Sequence, residues 1–123
     1  MIARTFNEQL NILEVIYNGQ ISYDELIEFG ESFAKNKHLP RNLKMITDAR
    51  KAEYTFSADK VSEIATHIEI HLKDYVQVKA AFVQTKPNET ALSMVLENEN
   101  KTNKYIHKVF CTRESALEWL MEA

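Results

Sequence analysis

Two hydrophobic periods alternate along this chain. Short segments in which every second residue is apolar are separated by longer segments in which apolar residues recur every three to four positions. The first pattern is typical of strands and the second of helices, and their alternation indicates a layered α/β fold. The sequence therefore predicts an α/β domain, and we place the central strand at residues 43–48, which end in Asp48.

The predicted element order is ββαβαβαβα. Ser22 and Glu25 form a capping box at the start of the first helix, and Ser57, Pro87 and Thr112 begin the other three. The first two strands form an antiparallel hairpin because their turn is short, whereas strands separated by a helix lie parallel through right-handed crossovers. We expect a single-layer, five-stranded mixed, mostly parallel sheet with about four helices and the first strand as its antiparallel edge. The strands are predicted at residues 2–6, 12–17, 43–48, 76–83 and 105–110.

The composition excludes several classes of function. The 123 residues match one domain, and no apolar stretch approaches the ~20 residues that span a bilayer. The net charge of -3 argues against a nucleic-acid partner, whose binding needs clustered Lys and Arg. Gly19 and Gly30 are too isolated to build a phosphate-binding loop. Since no signal peptide is recognised, we expect a single cytoplasmic domain over residues 1–123.

Neither a catalytic nor a metal-binding constellation is found in the sequence. His67 and His71 stand four apart on the second predicted helix, but Ile68 occupies the position where a zincin has Glu, and no third ligand is apparent. Cys111 precedes a helix whose N-terminus could lower the pKa of the thiol, but neither a base nor an oxyanion hole accompanies it. We therefore predict a protein that is not an enzyme and has no cofactor and no metal.

The carboxyl end of the central strand is the candidate site, because ligands bind beyond the carboxyl ends of strands in open α/β sheets. Asp48 either receives a partner or ligand, or it pairs with Arg50 or caps a turn through its own backbone, and the second interpretation is favoured. Residues 49–56 are expected to form a loop. Its aromatic residues, Tyr54 and Phe56, either anchor a partner or fold back onto the core. Ser57 completes the predicted partner or ligand face.

The chain resembles the STAS and SpoIIAA-like group of domains. The resemblance lies in a β-hairpin, a helix and a strand that ends in Asp48, followed later by a closing strand–helix unit. The matching segments are Lys44-Met45-Ile46-Thr47-Asp48, Val109-Phe110 and Ala116-Leu117-Glu118-Trp119-Leu120. The resemblance covers nearly the whole chain and implies a five-stranded mixed sheet with helices packed around it. It also implies a non-enzymatic, partner-binding role, which many STAS members have.

One motif of the STAS family is missing. Family members such as anti-sigma-factor antagonists switch by phosphorylation of a serine after the central strand, and Ser57 occupies a comparable place. The Asp-Ser-Ser-Gly pattern around that serine is absent, because residues 48–57 read DARKAEYTFS. This departure argues against a phosphorylation switch. The SpoIIAA-like branch, which is related to lipid-binding CRAL-TRIO domains, fits better.

Two hypotheses of function follow. The first is a non-catalytic protein-interaction or regulatory module that binds another protein or itself through residues 49–56 and the start of the second helix. The second is a carrier of a small apolar or lipid-like ligand in a pocket between sheet and helices. The CRAL-TRIO relation suggests the carrier, as do aromatic and methionine side chains whose ordinary role is core packing. These are Phe29, Phe33, Met45, Phe82 and Met94.

Overall fold

A computed structural model describes residues 1–100 and 102–122 of the chain. Its elements follow the predicted order, with one short 3₁₀ turn added before the second helix. They are β1 (Ile2–Asn7), β2 (Ile12–Ile21), α1 (Tyr23–Lys35), β3 (Asn42–Tyr54), the turn Ala58–Lys60, α2 (Val61–His71), β4 (Gln77–Val83), α3 (Pro87–Glu99), β5 (Tyr105–Phe110) and α4 (Arg113–Met121).

The five strands form one mixed sheet in the order β1-β2-β3-β4-β5. β1 pairs antiparallel with β2, and the other three neighbouring pairs are parallel. The predicted fold class is therefore confirmed, including the antiparallel edge strand. Each parallel connection carries one helix back across the sheet, as the alternating periods of the sequence required.

Side chains at the helix starts explain where α1 and α4 begin. The Ser22 hydroxyl accepts a hydrogen bond from the backbone N–H of Glu25 at 3.1 Å, and the Thr112 hydroxyl accepts one from that of Ser115 at 3.2 Å. Such caps satisfy backbone donors that the first helical turn leaves free. The predicted helix cap at Ser57 is wrong. Ser57 precedes the 3₁₀ turn, and its hydroxyl makes no cap hydrogen bond but donates to the carboxylate of Asp59 within that turn.

Two strands extend beyond their predicted ends. β2 continues through Asn18 and Gly19 to Ile21, and the prediction of a loop at residues 49–56 is wrong because β3 continues to Tyr54. The two extensions pair with each other after a bulge, with Gly19 opposite Ala52 and Ile21 opposite Tyr54. Both extensions are largely polar, so neither has the hydrophobic pattern of a strand. Their backbone N–H and C=O groups form hydrogen bonds because the two segments pair with each other.

The two faces of the sheet are covered unequally. α1, α2 and α3 pack on one face, which we call the three-helix face, and α4 packs alone on the other, which we call the α4 face. Successive residues of a strand point to opposite faces, so β3 places Met45 in the three-helix core and Ile46 under α4. The core of the α4 face is small and aliphatic. It consists of Ile12, Ile46, Ala81, Val83, Ala116 and Leu120.

No helix among the described residues combines the length and the apolar character that crossing a membrane requires.

Candidate ligand cavity

A cavity of about 110 Å³ lies on the three-helix face, between the sheet and helices α1, α2 and α3. Aromatic side chains from the sheet, among them Tyr17 and Phe82, form its floor, and aliphatic side chains such as Ile64, Ile68 and Leu92 reach it from the helices. Its lining among the described residues contains no Asp, Glu, Lys or Arg. Apolar cavities of this kind stay dry and can bind small apolar molecules.

Tyr17 organises the aromatic part of the lining. Its ring meets three others edge to face, at centroid distances of 6.3 Å to Phe29, 6.5 Å to Tyr54 and 6.0 Å to Phe82. Edge-to-face contacts are a favoured geometry of aromatic pairs and fix the rings relative to one another. Burial raises the pKa of the Tyr17 hydroxyl well above its usual range, so the group stays neutral. The aromatic lining is therefore uncharged and held in place.

Gly30 lets α1 and α2 close one side of the cavity. A Cβ atom at this position would lie 2.7 Å from Nδ1 of His71, which is closer than real Cβ contacts allow. The imidazole of His71 packs against the bare backbone of α1 and borders the cavity. Its pKa is lowered, first by burial and then by His67. A side chain at Gly30 would displace the imidazole of His71 from this position.

His67 and His71 come together, as their spacing predicted, with ring centroids 5.5 Å apart. His67 also makes an edge-to-face contact with Tyr23 of α1. In residues 1–100 and 102–122 these two imidazoles are not joined by a third His, Cys, Asp or Glu in a group that could hold a metal ion. The exposed thiol of Cys111 lies at the end of β5.

His107 on β5 lines the cavity and carries an unsatisfied polar atom. Its side chain is 4% exposed, its ring stacks on Phe82 with centroids 4.4 Å apart, and its Nδ1 lies 2.9 Å from the hydroxyl of Tyr105. Its Nε2 is buried and has no hydrogen-bond partner among the described residues. Burial lowers the pKa of His107 to about 3, so the imidazole is neutral near pH 7.

Sequence reasoning missed His107, although a signal was present. In β5 the residues Tyr105, His107 and Val109 alternate with exposed or polar positions, so a strand at residues 105–110 puts a histidine on a buried face. A buried polar group without a partner is costly and is rare in native proteins. The position is therefore unusual even though no motif marks it.

Tyr54 and Phe56 lie between the cavity and the protein surface. Their rings stack at 5.2 Å, and both border the cavity as well as an open surface hollow that also includes Ser57. The Tyr54 hydroxyl accepts a hydrogen bond from Gln84 at 2.7 Å, and its backbone N–H donates to the Glu89 carboxylate at 3.3 Å. Burial raises the pKa of Tyr54 above its usual range. The two aromatic residues thus fold back onto the core and still reach solvent.

Asp48 and Arg50 lie elsewhere. Asp48 is in register with Val83, which packs under α4, so its side chain points to the α4 face. Its carboxylate accepts hydrogen bonds from Nε and Nη2 of Arg50 at 2.9 and 2.8 Å, and from the Arg50 backbone N–H at 3.2 Å. The hydrogen bonds from Arg50 lower the pKa of Asp48, and the hydrogen bonds to Asp48 raise the pKa of Arg50. This is the self-paired alternative that the sequence favoured.

The five predicted site residues are therefore divided between two faces. Tyr54 and Phe56 reach the cavity, and Ser57 borders only the surface hollow. Asp48 and Arg50 form an exposed pair on the other side of the sheet. The sequence grouped these five because they follow one another along the chain, whereas the bulge in β3 between Asp48 and Lys51 shifts the alternation and puts Tyr54 on the face opposite Asp48.

Comparison with known proteins supports the fold. No family model matches the chain, and no curated protein matches it. Among solved structures, an uncharacterised protein of the DUF3478 family with a SpoIIAA-like fold, from Shewanella loihica PV-4, is similar with a TM-score of 0.61. The similarity covers 97% of this chain and 93% of that one, at 12% sequence identity. The SpoIIAA-like fold implied by the sequence resemblance is thus confirmed, and at this identity the likeness shows the fold alone.

Proposed function

We propose that this protein is a non-catalytic binding module that holds a small, mostly apolar molecule in the cavity between the sheet and helices α1, α2 and α3. The observation that carries the proposal is a cavity of about 110 Å³ with an aromatic and aliphatic lining. Protein interiors are packed like organic crystals, and empty volume costs about 24 cal/mol per Å³. This cavity then costs about 2–3 kcal/mol, which a ligand that fits it would offset.

The volume of the cavity limits the size of ligand that the carrier hypothesis allows. An engineered cavity of about 150 Å³ is large enough to bind benzene, and sites for drug-sized ligands measure about 300 Å³ or more. A cavity of about 110 Å³ therefore favours a compact molecule of about one ring over a long lipid chain. Part of a somewhat larger ligand would extend past Phe56 into the surface hollow.

The absence of charge in the lining supports a non-catalytic role. General acid–base chemistry requires groups whose pKa lies near the working pH. His107 is far below that range, and burial holds the pKa values of Tyr17 and Tyr54 above it. The cavity offers shape and apolar contact to a ligand, and neither His107 nor these buried tyrosines are poised to exchange protons at neutral pH.

The binding proposal is tested by titrating ¹⁵N-labelled protein with benzene in sealed tubes. We expect saturable chemical-shift changes at amides that surround the cavity, such as those of Phe82 and His107. Ile68→Phe fills the cavity and is expected to abolish them. Ile70→Phe is the matched control, because it makes the same change at a position of α2 that is 56% exposed. If the wild-type shifts do not saturate, the proposal is wrong.

A protein contact at the surface hollow is the second candidate function. The hollow brings Tyr54, Phe56 and Ser57 together, which are three of the five residues that the sequence proposed as a partner face. Self-association through this hollow predicts a dimer in light scattering, which Ser57→Arg would dissociate. Thr66→Arg, at an exposed site on α2, should leave the dimer intact. A monomer at every concentration would exclude self-association.

A further inference from the structure

We infer that the ligand of the cavity is an uncharged molecule with a hydrogen-bond acceptor, and that this acceptor pairs with Nε2–H of His107. The inference rests on the proposed function, since it names the class of molecule that the same cavity takes. His107 borders the cavity and is more than nine-tenths buried, and its Nε2 has no partner among the described residues. A buried donor without a partner costs the full desolvation of that group unless a ligand supplies the acceptor.

The contact with Tyr105 decides which nitrogen of His107 carries the proton. If the Tyr105 hydroxyl donates to Nδ1, the proton of the neutral ring is on Nε2, and Nε2–H is the one group left without a partner. If Nδ1–H donates to the hydroxyl oxygen instead, both the Tyr105 O–H and the Nε2 lone pair lack partners. The first arrangement leaves fewer buried groups unsatisfied, so Nε2 is a donor.

The position of that donor is fixed before a ligand arrives. Phe82 stacks on one face of the His107 ring, and the Tyr105 hydroxyl holds the ring by Nδ1 at 2.9 Å. A donor held in place loses little conformational freedom when it forms a hydrogen bond. His107 is thus suited to select one acceptor position at the edge of an apolar ligand.

The same surroundings favour an uncharged ligand. No Asp, Glu, Lys or Arg among the described residues lines the cavity, and the imidazole of His107 is itself neutral. A charge buried without a counter-charge is strongly unfavourable. A neutral ring with an aromatic nitrogen, a carbonyl or an ether oxygen fits these conditions, whereas a carboxylate or an ammonium group does not.

Two other buried polar atoms lack partners, but they do not alter this assignment. Oγ1 of Thr47 and Oε1 of Gln84 are buried without a hydrogen bond among the described residues, yet neither residue lines the cavity. Of the three unsatisfied atoms, only the one on His107 belongs to a residue that a ligand in this cavity would touch.

Three probes of nearly equal size test the inference at pH 8, where all are uncharged. Benzene has no strong hydrogen-bonding group, pyridine has an acceptor, and pyrrole has a donor. We expect the ratio of the benzene Kd to the pyridine Kd to fall about tenfold in His107→Phe, as the loss of one hydrogen bond predicts. His38→Phe, at an exposed histidine, should keep the wild-type ratio.

The outcomes separate this inference from the proposed function. If none of the three probes binds, the proposed function itself is wrong. If benzene binds but the ratio is unchanged in His107→Phe, or if pyrrole is preferred to pyridine, the inference is overturned and the cavity remains a binding site. A long-range ¹H–¹⁵N spectrum of the wild-type histidines needs no variant: protonation of His107 at Nε2 supports the inference, and protonation at Nδ1 overturns it.

Discussion

The two faces of the sheet are built on the same strands and differ in how completely they are packed. On the α4 face, one helix packs its own Leu120 onto aliphatic side chains of the sheet such as Ala81, and both residues are fully buried. On the three-helix face, large aromatic rings meet edge to face and leave a cavity of about 110 Å³. The polar groups differ as well, because Asp48 and Arg50 satisfy each other whereas Nε2 of His107 has no partner among the described residues.

This difference indicates that the two faces have different roles, one in stability and one in ligand binding. Small side chains such as Ala81 and Ala116 let α4 approach the sheet closely, so that face contributes to stability. Edge-to-face rings and three helices cannot fill the space on the other face, and the volume that remains is available to a ligand. The following predictions test this comparison, beginning with the largest expected effect.

Truncation of a leucine should cost more on the α4 face than at the cavity. Leu120→Ala removes a fully buried side chain and is expected to lower the free energy of unfolding by about 3–5 kcal/mol. Leu96→Ala, at the cavity, should cost about half as much, since Leu96 is half-buried and already borders empty space. Urea unfolding followed by circular dichroism measures both. Equal losses would mean that the two faces are packed alike.

Enlargement of a side chain should also cost more on the α4 face than at the cavity. Ala81→Ile forces extra volume under α4 and should destabilise the protein by about 1–3 kcal/mol. Ile68→Phe places its extra volume in the cavity and should cost less than about 1 kcal/mol. The same unfolding experiment compares them. A larger loss for Ile68→Phe would contradict an accessible cavity in solution.

Acid should destabilise the protein through His107. Its pKa is about 3 in the folded state, against 6.5 for an ordinary histidine, so between these values the unfolded chain binds a proton that the folded protein does not. The contribution is complete above pH 6.5 and is lost as the pH falls toward 3, by up to about 1.4 kcal/mol per pH unit.

Unfolding curves between pH 7 and pH 4 measure this slope. Tyr54 and Tyr105, whose pKa values are raised by burial, stay protonated throughout and do not contribute. His71, whose pKa is also lowered, contributes with the same sign, so His107→Phe should reduce the slope rather than remove it. An unaltered slope in His107→Phe would show that this histidine is not buried in solution.

The exposed pair on the α4 face should matter least. Asp48 and Arg50 are about a third to a half exposed, so Asp48→Asn should cost less than about 1 kcal/mol, and salt should reduce that cost further. Benzene binding should be unchanged in this variant, because the pair lies across the sheet from the cavity. Loss of benzene binding in Asp48→Asn would place the site on the other face.

Much of the fold could be predicted because its signals are local. The caps at Ser22 and Thr112 and the strand at Tyr105–Phe110 each depend on a few neighbouring residues. The extensions of β2 and β3 could not be predicted, since each is polar and becomes a strand only by pairing with a segment about 30 residues away. The candidate site was predicted in part: Tyr54 and Phe56 were identified by their unusual setting, and His107 was missed.

The sequence by itself determined the order of the elements, the parallel connections and the antiparallel edge, because hydrophobic period and connection length act within one element or between adjacent ones. Only the tertiary structure decided where β3 ends and that the side chains of Asp48 and Tyr54 lie on opposite faces of the sheet. The tertiary structure also decided that His107 lines the cavity. Such features arise where side chains distant in the sequence converge, and the volume left between them is a property of the whole packing arrangement.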